Sequence, residues 1–215
     1  KFYSMILTIF GATGMVGKKL VRYALANGYD VRAFGRNVQN LIDADLRNEH
    51  LLAIHGYVFN ESDVYNAIKG ADAVLSVLGG SFDGTDKTRS LGIKNISEQM
   101  KRAGVKRIIA LGGTGVLDDG KGNYIMDSEN YPKEYLPVGK EHLKAYLYLK
   151  DSGLDWTFVC APDIHDAEFT NDYRTRATYE VEHSHHKITS GDIAQFMLKE
   201  VTDTSFIHER VGISN

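Results

Sequence analysis

Cysteine occurs once in these 215 residues, at Cys160, so no internal disulfide can form and a reducing compartment is expected. The residue sits in the apolar run Trp156 to Ala161 and reads as a small buried hydrophobe, not as a reactive thiol. A basic excess is missing too. The 25 Lys and Arg against 28 Asp and Glu give a net charge of −3, which leaves no positive stripe for a phosphate backbone and excludes nucleic acid as a natural partner. No apolar run approaches the roughly 18 residues needed to span a bilayer. Lys1-Phe2-Tyr3-Ser4 leads into the first strand without a signal-peptide pattern, so no membrane association and a cytoplasmic location are expected. Internal repeats and low-complexity tracts are absent. His183-Ser184-His185-His186 is the densest group of metal-binding side chains, but no Cys or carboxylate at ligand spacing accompanies it. An extended segment would also splay alternate imidazoles apart, so no metal is expected.

What is present has a globular balance, with 43% hydrophobic and 25% charged residues, which suits one domain over 1–215. Its organising stretch is residues 6 to 17, Ile-Leu-Thr-Ile-Phe-Gly-Ala-Thr-Gly-Met-Val-Gly. The β-branched and aromatic start fits a strand covered on both faces. Gly11, Gly14 and Gly17 then recur every three residues. Gly11 permits a tight turn, Gly14 lets a pyrophosphate approach the backbone, and Gly17 lets the following helix pack close to its strand. The free N–H groups and positive dipole end of that helix suit an anion. With an amphipathic helix next (Val16, Leu20, Val21, Ala24 and Leu25 on one face) and a second strand over Tyr29 to Phe34, this is the context of a dinucleotide-binding fingerprint. Gly35-Arg36-Asn37 follows where the adenosine ribose would lie. An acid there would select NAD, whereas Arg36 accommodates the 2′-phosphate of NADP.

Strand-like and helix-like segments alternate to about residue 160, which predicts an α/β fold, a Rossmann-type doubly wound parallel sheet with a small C-terminal substrate-side portion. The expected order is a short helix around Val38 to Leu46, a strand Leu51 to Phe59, a helix Asp63 to Lys69 and a strand from Ala73 to Gly80. A helix Thr88 to Ala103, stopped by Gly104, then precedes a strand Arg107 to Leu111. Leu78 and Gly79, beyond a strand's carboxyl end, should lie along the middle of the cofactor. Thr114, in Gly112-Gly113-Thr114-Gly115, is a candidate hydroxyl near the nicotinamide. Residues 116 to 137 lack periodicity, carry Tyr124, Tyr131 and Tyr135, and read as a flap over the site. A helix Val138 to Lys150 and a strand Asp155 to Ala161 lead into an irregular substrate-side loop over about 163–187. Ser190-Gly191-Asp192 then caps a helix to about Val201, and Arg210 to Ile213 is expected as an edge strand.

Gly11-Ala12-Thr13-Gly14-x-x-Gly17, Gly35-Arg36-Asn37, Leu78-Gly79, Ser152-Gly153-Leu154-Asp155-Trp156-Thr157 and Ile188-Thr189-Ser190-Gly191-Asp192-Ile193-Ala194 together resemble the atypical short-chain dehydrogenase/reductase group. Within it the chain is most similar to NADPH-dependent flavin and biliverdin-IXβ reductases and bacterial NADH-flavin reductase relatives, neighbours of the NmrA-like proteins. The resemblance implies NADPH held by Gly11, Thr13, Gly14, Met15, Val16, Gly17 and Arg36, and direct hydride transfer to a flavin, quinone or tetrapyrrole-like acceptor, in a monomer or weak homodimer. The chain departs from those reductases at the substrate side. Gly113, beside Thr114, replaces their serine, Asp163 replaces a histidine, and Gly56-Tyr57-Val58 replaces Gly-Asp-Val. The Tyr-x-x-x-Lys pair of typical short-chain dehydrogenases is absent, since Tyr135 and Lys140 are five apart with Pro137 between them. His142, aligned with a Lys or His of the relatives, is the candidate acid, with solvent as the other proton source. Two other activities fit the resemblance: a nonenzymatic NADP(H) sensor like the NmrA-like regulators, and an epimerase or dehydratase of the extended type.

Overall fold

Ile6–Phe10 (β1) lies in the middle of the sheet because both of its faces are covered: Leu7, Ile9 and Phe10 are fully buried, and Thr8 Oγ1 donates to the Ala67 carbonyl at 2.8 Å. The structure, a computed structural model, describes residues 4–39, 41 and 48–215. The expected helix over Val38 to Leu46 lies mostly outside the described residues, as do Lys1, Phe2 and Tyr3. After β1 come Met15–Ala26 (α1), Asp30–Gly35 (β2), Leu51–His55 (β3), Glu61–Ile68 (α2), Ala73–Ser76 (β4) and Thr88–Ala103 (α3). Arg107–Gly113 (β5), Leu136–Lys150 (α4), Asp155–Ala161 (β6), Asp163–His165 (β7), Arg174–Ala177 (β8), Lys187–Thr189 (β9), Ser190–Asp203 (α5) and Glu209–Ser214 (β10) complete the order. Eight strands form one sheet in the order β3-β2-β1-β4-β5-β6-β10-β8, parallel throughout except where β8 joins β10 antiparallel.

The alternation of side chains along β1 divides the core in two. Leu7 and Ile9 face Leu20, Val21 and Ala24 of α1 and Ile193 and Met197 of α5. Phe10 faces the other layer, where Ile68 of α2, Ile96 and Met100 of α3 and Leu149 of α4 are fully buried. Each such side chain contributes about 1.5–3 kcal/mol by leaving water, which fixes the helices on the sheet. Strand order reverses between β1 and β4. In open α/β sheets the crevice beyond the strand ends at such a reversal is where ligands bind.

Several boundaries differ from the sequence reading. β3 ends at His55, not Phe59: Gly56 N makes a last bond to the Gly35 carbonyl at 3.2 Å, and the Tyr57 N–H turns away to Asp63 Oδ2 at 3.0 Å. β4 ends at Ser76; Val77 makes a last bond to the Phe10 carbonyl at 2.9 Å before the chain leaves the sheet. β5 continues to Gly113, and α4 starts at Leu136, with Pro137 tolerated in its first turn. The cap of α5 is Thr189, whose hydroxyl accepts from the Asp192 N–H at 2.8 Å. Residues 163 to 187 are not irregular throughout, for β7 and β9 pair in parallel and β8 lies on β10. Arg210 to Ile213 is correspondingly no edge: β10 sits between β6 and β8. The expected flap contains short 3-10 turns at Ile125–Asp127 and Lys133–Tyr135. Arg210 secures its base, donating to the Val116 carbonyl and lying 5.4 and 5.1 Å from the Tyr124 and Tyr146 ring centres.

Candidate functional site

The turn from β1 into α1 is built from glycines that do different things. Gly11 has φ +81, a left-handed conformation, and an added Cβ would lie 2.5 Å from the Val77 carbonyl oxygen. Gly17 is packed against the turn itself, where a Cβ would come within 2.1 Å of the Gly11 oxygen. Gly14 is open by contrast: it has φ −75, and its nearest neighbour to an added Cβ is the Gly11 oxygen at 3.4 Å. Gly14 is the N-cap of α1, whose first turn has no side-chain cap and no acid. The first N–H groups of the helix are thus left to a ligand.

A cavity of about 1210 Å³ starts at this turn and runs along the open end of the sheet. Of the residues expected from sequence, it brings together Gly11, Thr13, Gly14, Met15, Val16, Arg36, Leu78, Gly79, Gly113, Thr114, His142 and Asp163. Gly17 is not on its wall, and a Cβ there would meet the turn itself. The volume exceeds the range of roughly 300–1,000 Å³ usual for one drug-sized ligand. At one end Arg36 is exposed, with Tyr57 and Phe59 also on the wall and each 56% exposed. Leu78, Gly79 and Gly80 follow β4, and an added Cβ at Gly79 would touch nothing. The flap supplies Tyr131 and Tyr135, and the loop after β4 supplies Phe82, 62% exposed. The Tyr131 hydroxyl fits against Gly115, where a Cβ would lie 2.7 Å from it.

His142 is half-buried on the cavity wall. Its ring lies against Gly113, whose added Cβ would meet Cδ2 at 3.2 Å and Nε2 at 3.5 Å, and its Nδ1 is buried without a hydrogen-bond partner among the described residues. Burial depresses the imidazolium, Arg89 repels it further and Glu141 opposes both, so the ring titrates at about 3. At neutral pH it is an uncharged imidazole, which corrects the expectation of an acid active near neutrality. Neighbouring Glu141 is buried. Desolvation alone would raise its pKa, but hydrogen bonds from Ser90, Lys87 and Lys144 outweigh burial and hold the carboxylate below its ordinary range. Arg89 donates to the Ser81 and Gly80 carbonyls at 2.9 and 3.0 Å and lies 5.4 Å from the Phe82 ring centre, fixing the loop after β4.

Sequence reasoning missed Phe82, Arg89, Glu180 and His186, all on the cavity wall. Phe82 and Glu180 come from segments without periodicity, Arg89 lies in the first turn of a helix whose pattern does not mark it for the site, and the sequence marks His186 only as a candidate metal ligand. Cys160 is buried, and desolvation pushes its thiol far above the usual range, as expected of an inert hydrophobe. Among the described residues no three His, Cys, Asp or Glu side chains form a group able to hold a metal, and no helix is long and apolar enough to cross a membrane.

Residues 11–204 match the model of a family described as NAD(P)H-binding. The uncharacterized protein YwnB of Bacillus subtilis is 30% identical over 164 residues, spanning 72% of this chain and 70% of YwnB. Among solved structures, a Bacteroides thetaiotaomicron protein provisionally called an epimerase superposes with a TM-score of 0.84 at 29% identity, over 99% of this chain and 97% of that one. A Streptococcus pneumoniae protein provisionally called an NADH-flavin reductase gives 0.81 at 25% identity, over 99% and 100%.

Proposed function

The chain belongs to the NAD(P)H-binding family, and on that premise we propose that it is a reductase that binds NADPH and passes a hydride to a flavin, quinone or similar conjugated acceptor. The observation that carries this reading is the single cavity leading from the α1 N-terminus and Arg36 to a slot walled by Tyr131, Tyr135 and Phe82. The α1 N-terminus and the open backbone at Gly14 hold the pyrophosphate, and Arg36 holds the 2′-phosphate. Leu78 and Gly79 support the middle of the cofactor, and Gly113 and Thr114 border the nicotinamide. When bound, the reduced nicotinamide supplies the hydride; the chain's own work is orientation and exclusion of water. The aromatic walls suit a planar acceptor. Asp163 borders its outer end, and neutral His142 offers a hydrogen bond and no charge.

Calorimetry with NADPH and NADH tests the cofactor half. An Arg–phosphate hydrogen bond contributes about 1.5–3 kcal/mol, so wild type should bind NADPH about 10- to 150-fold more tightly, and Arg36→Ala should abolish the difference. Equal affinity of wild type for both cofactors overturns the assignment.

A further inference from the structure

We infer that His186, paired with Glu180, is the proton donor to the acceptor, so that the histidine tract places an acid on the wall of the cavity. The inference rests on the reductase reading above. Its first ground is placement. His186 and Glu180 line the large cavity together with Thr114 and Pro162, and the same four residues line a small adjoining pocket. This corner stands at the carboxyl ends of β5 and β6, beside Gly113 and Thr114, which the proposed function sets against the nicotinamide. His186 Nδ1 lies 3.9 Å from Glu180 Oε1, leaving Nε2 as the proton-donating nitrogen; the His186 side chain is 70% exposed. An exposed ring is recharged by water after each turnover.

The second ground is the backbone. Thr178, His183 and His186 all take left-handed φ, +69, +53 and +52, within the one connection that carries Glu180. Non-glycine residues in that region are uncommon and cost of order 1–3 kcal/mol where the conformation is strained. The connection is held by its neighbours: Asp118 N donates to the Thr178 carbonyl at 2.9 Å, His185 N to the Asn215 carbonyl at 3.2 Å, and Arg176 Nη1 approaches Glu182 at 2.8 Å. The third ground is that the other imidazole on the cavity wall, His142, is uncharged at neutral pH. Near His186, the other ionisable groups of the site are Glu180 on the same connection, Asp163 after β6 and Tyr131 of the flap, whose hydroxyl is held above its ordinary range by burial and then by Tyr135 and Glu180.

The step balances. The nicotinamide's hydride adds to one atom of the conjugated acceptor, the proton on His186 Nε2 goes to the acceptor's heteroatom, and the ring takes a proton back from water. The sum is NADPH, acceptor and one proton giving NADP⁺ and the two-electron-reduced acceptor.

The test uses the full chain with menadione and FMN. His186→Asn suits it because asparagine tolerates left-handed backbone. The variant should bind NADPH as wild type does and lose about 10²-fold or more in kcat with menadione, the usual worth of a committed acid. The loss should fall on kcat and not KM, and added imidazole should restore part of it. Glu180→Gln should reduce kcat less than His186→Asn does. His185→Asn, outside the cavity, should be unchanged. A readout independent of turnover is carbethoxylation followed by mass spectrometry: menadione with NADP⁺ should shield His186 and leave His185 reactive. Undiminished turnover in His186→Asn, or equal reactivity of His186 with and without ligands, overturns the relay alone. Failure of wild type to oxidise NADPH with either acceptor overturns the reductase reading, and the relay with it.

Discussion

Gly17→Ala turns the packing of the phosphate-side turn into a number. In an unconstrained helix, alanine gains about 1 kcal/mol over glycine. At Gly17 the new Cβ would lie 2.1 Å from the Gly11 oxygen and 2.8 Å from Ala12 Cα, both backbone atoms that no rotamer change moves. Gly11 cannot yield either, because its own Cα faces the Val77 carbonyl. Overpacking of this kind costs about 1–3 kcal/mol. The upper end applies where both neighbours are backbone, leaving a net loss of about 2 kcal/mol after the propensity gain. For a domain of this size that lowers Tm by roughly 4–8 °C. Gly14→Val is the contrasting case. Its φ of −75 suits any residue and its Cβ meets only the Gly11 oxygen at 3.4 Å, so Tm should hold within about 2 °C. The isopropyl group would instead fill the pyrophosphate path and abolish NADPH binding. Scanning calorimetry and cofactor titration on both variants decide the matter. A Gly17→Ala protein more stable than wild type, or tight NADPH binding by Gly14→Val, refutes this division of labour.

His142→Gln should lower kcat/KM by less than the factor of about 10² to 10⁴ expected for losing a committed general acid, since the ring is neutral; a larger loss in steady-state assays would make it the donor. The same residue shapes acid stability. The unfolded ring takes up a proton near its ordinary 6.5 and the folded ring only near 3, so the unfolded state binds more protons and stability falls as pH drops through that window. Denaturant titrations from pH 7 to 4 should therefore show a shallower decline in His142→Gln than in wild type, and parallel declines would contradict the burial argument.

The β1–α1 turn, the succession of strands and helices up to β6 and the residues at the open end of the sheet were legible because they follow from local glycine spacing and from the alternation of apolar runs. The end of β3 was not. Tyr57 to Phe59 look like strand by composition, and only the turn of the Tyr57 N–H to the Asp63 side chain shows where the ladder stops. β8 and β9 were hidden because they are three or four residues long, polar, and paired across the fold with β10 and β7. β10 looked like an edge for the same reason: its outer partner could not be seen. His142 was placed correctly on its helix, but its charge state depends on burial and on Arg89, which comes from another helix. Glu180 and His186 reach the cavity only through three left-handed residues, and no periodicity announces those.

Mixing the NADPH-loaded protein with FMN or menadione in a stopped-flow instrument asks whether this cavity performs chemistry or only senses the cofactor. The tyrosine-walled slot beyond Gly113 and Thr114 predicts bound NADPH oxidised in step with reduction of the acceptor, one equivalent for one, faster than the same mixture without protein. Tight NADPH binding with no oxidation by any flavin, quinone or tetrapyrrole would contradict the account and leave a cofactor-sensing protein in its place.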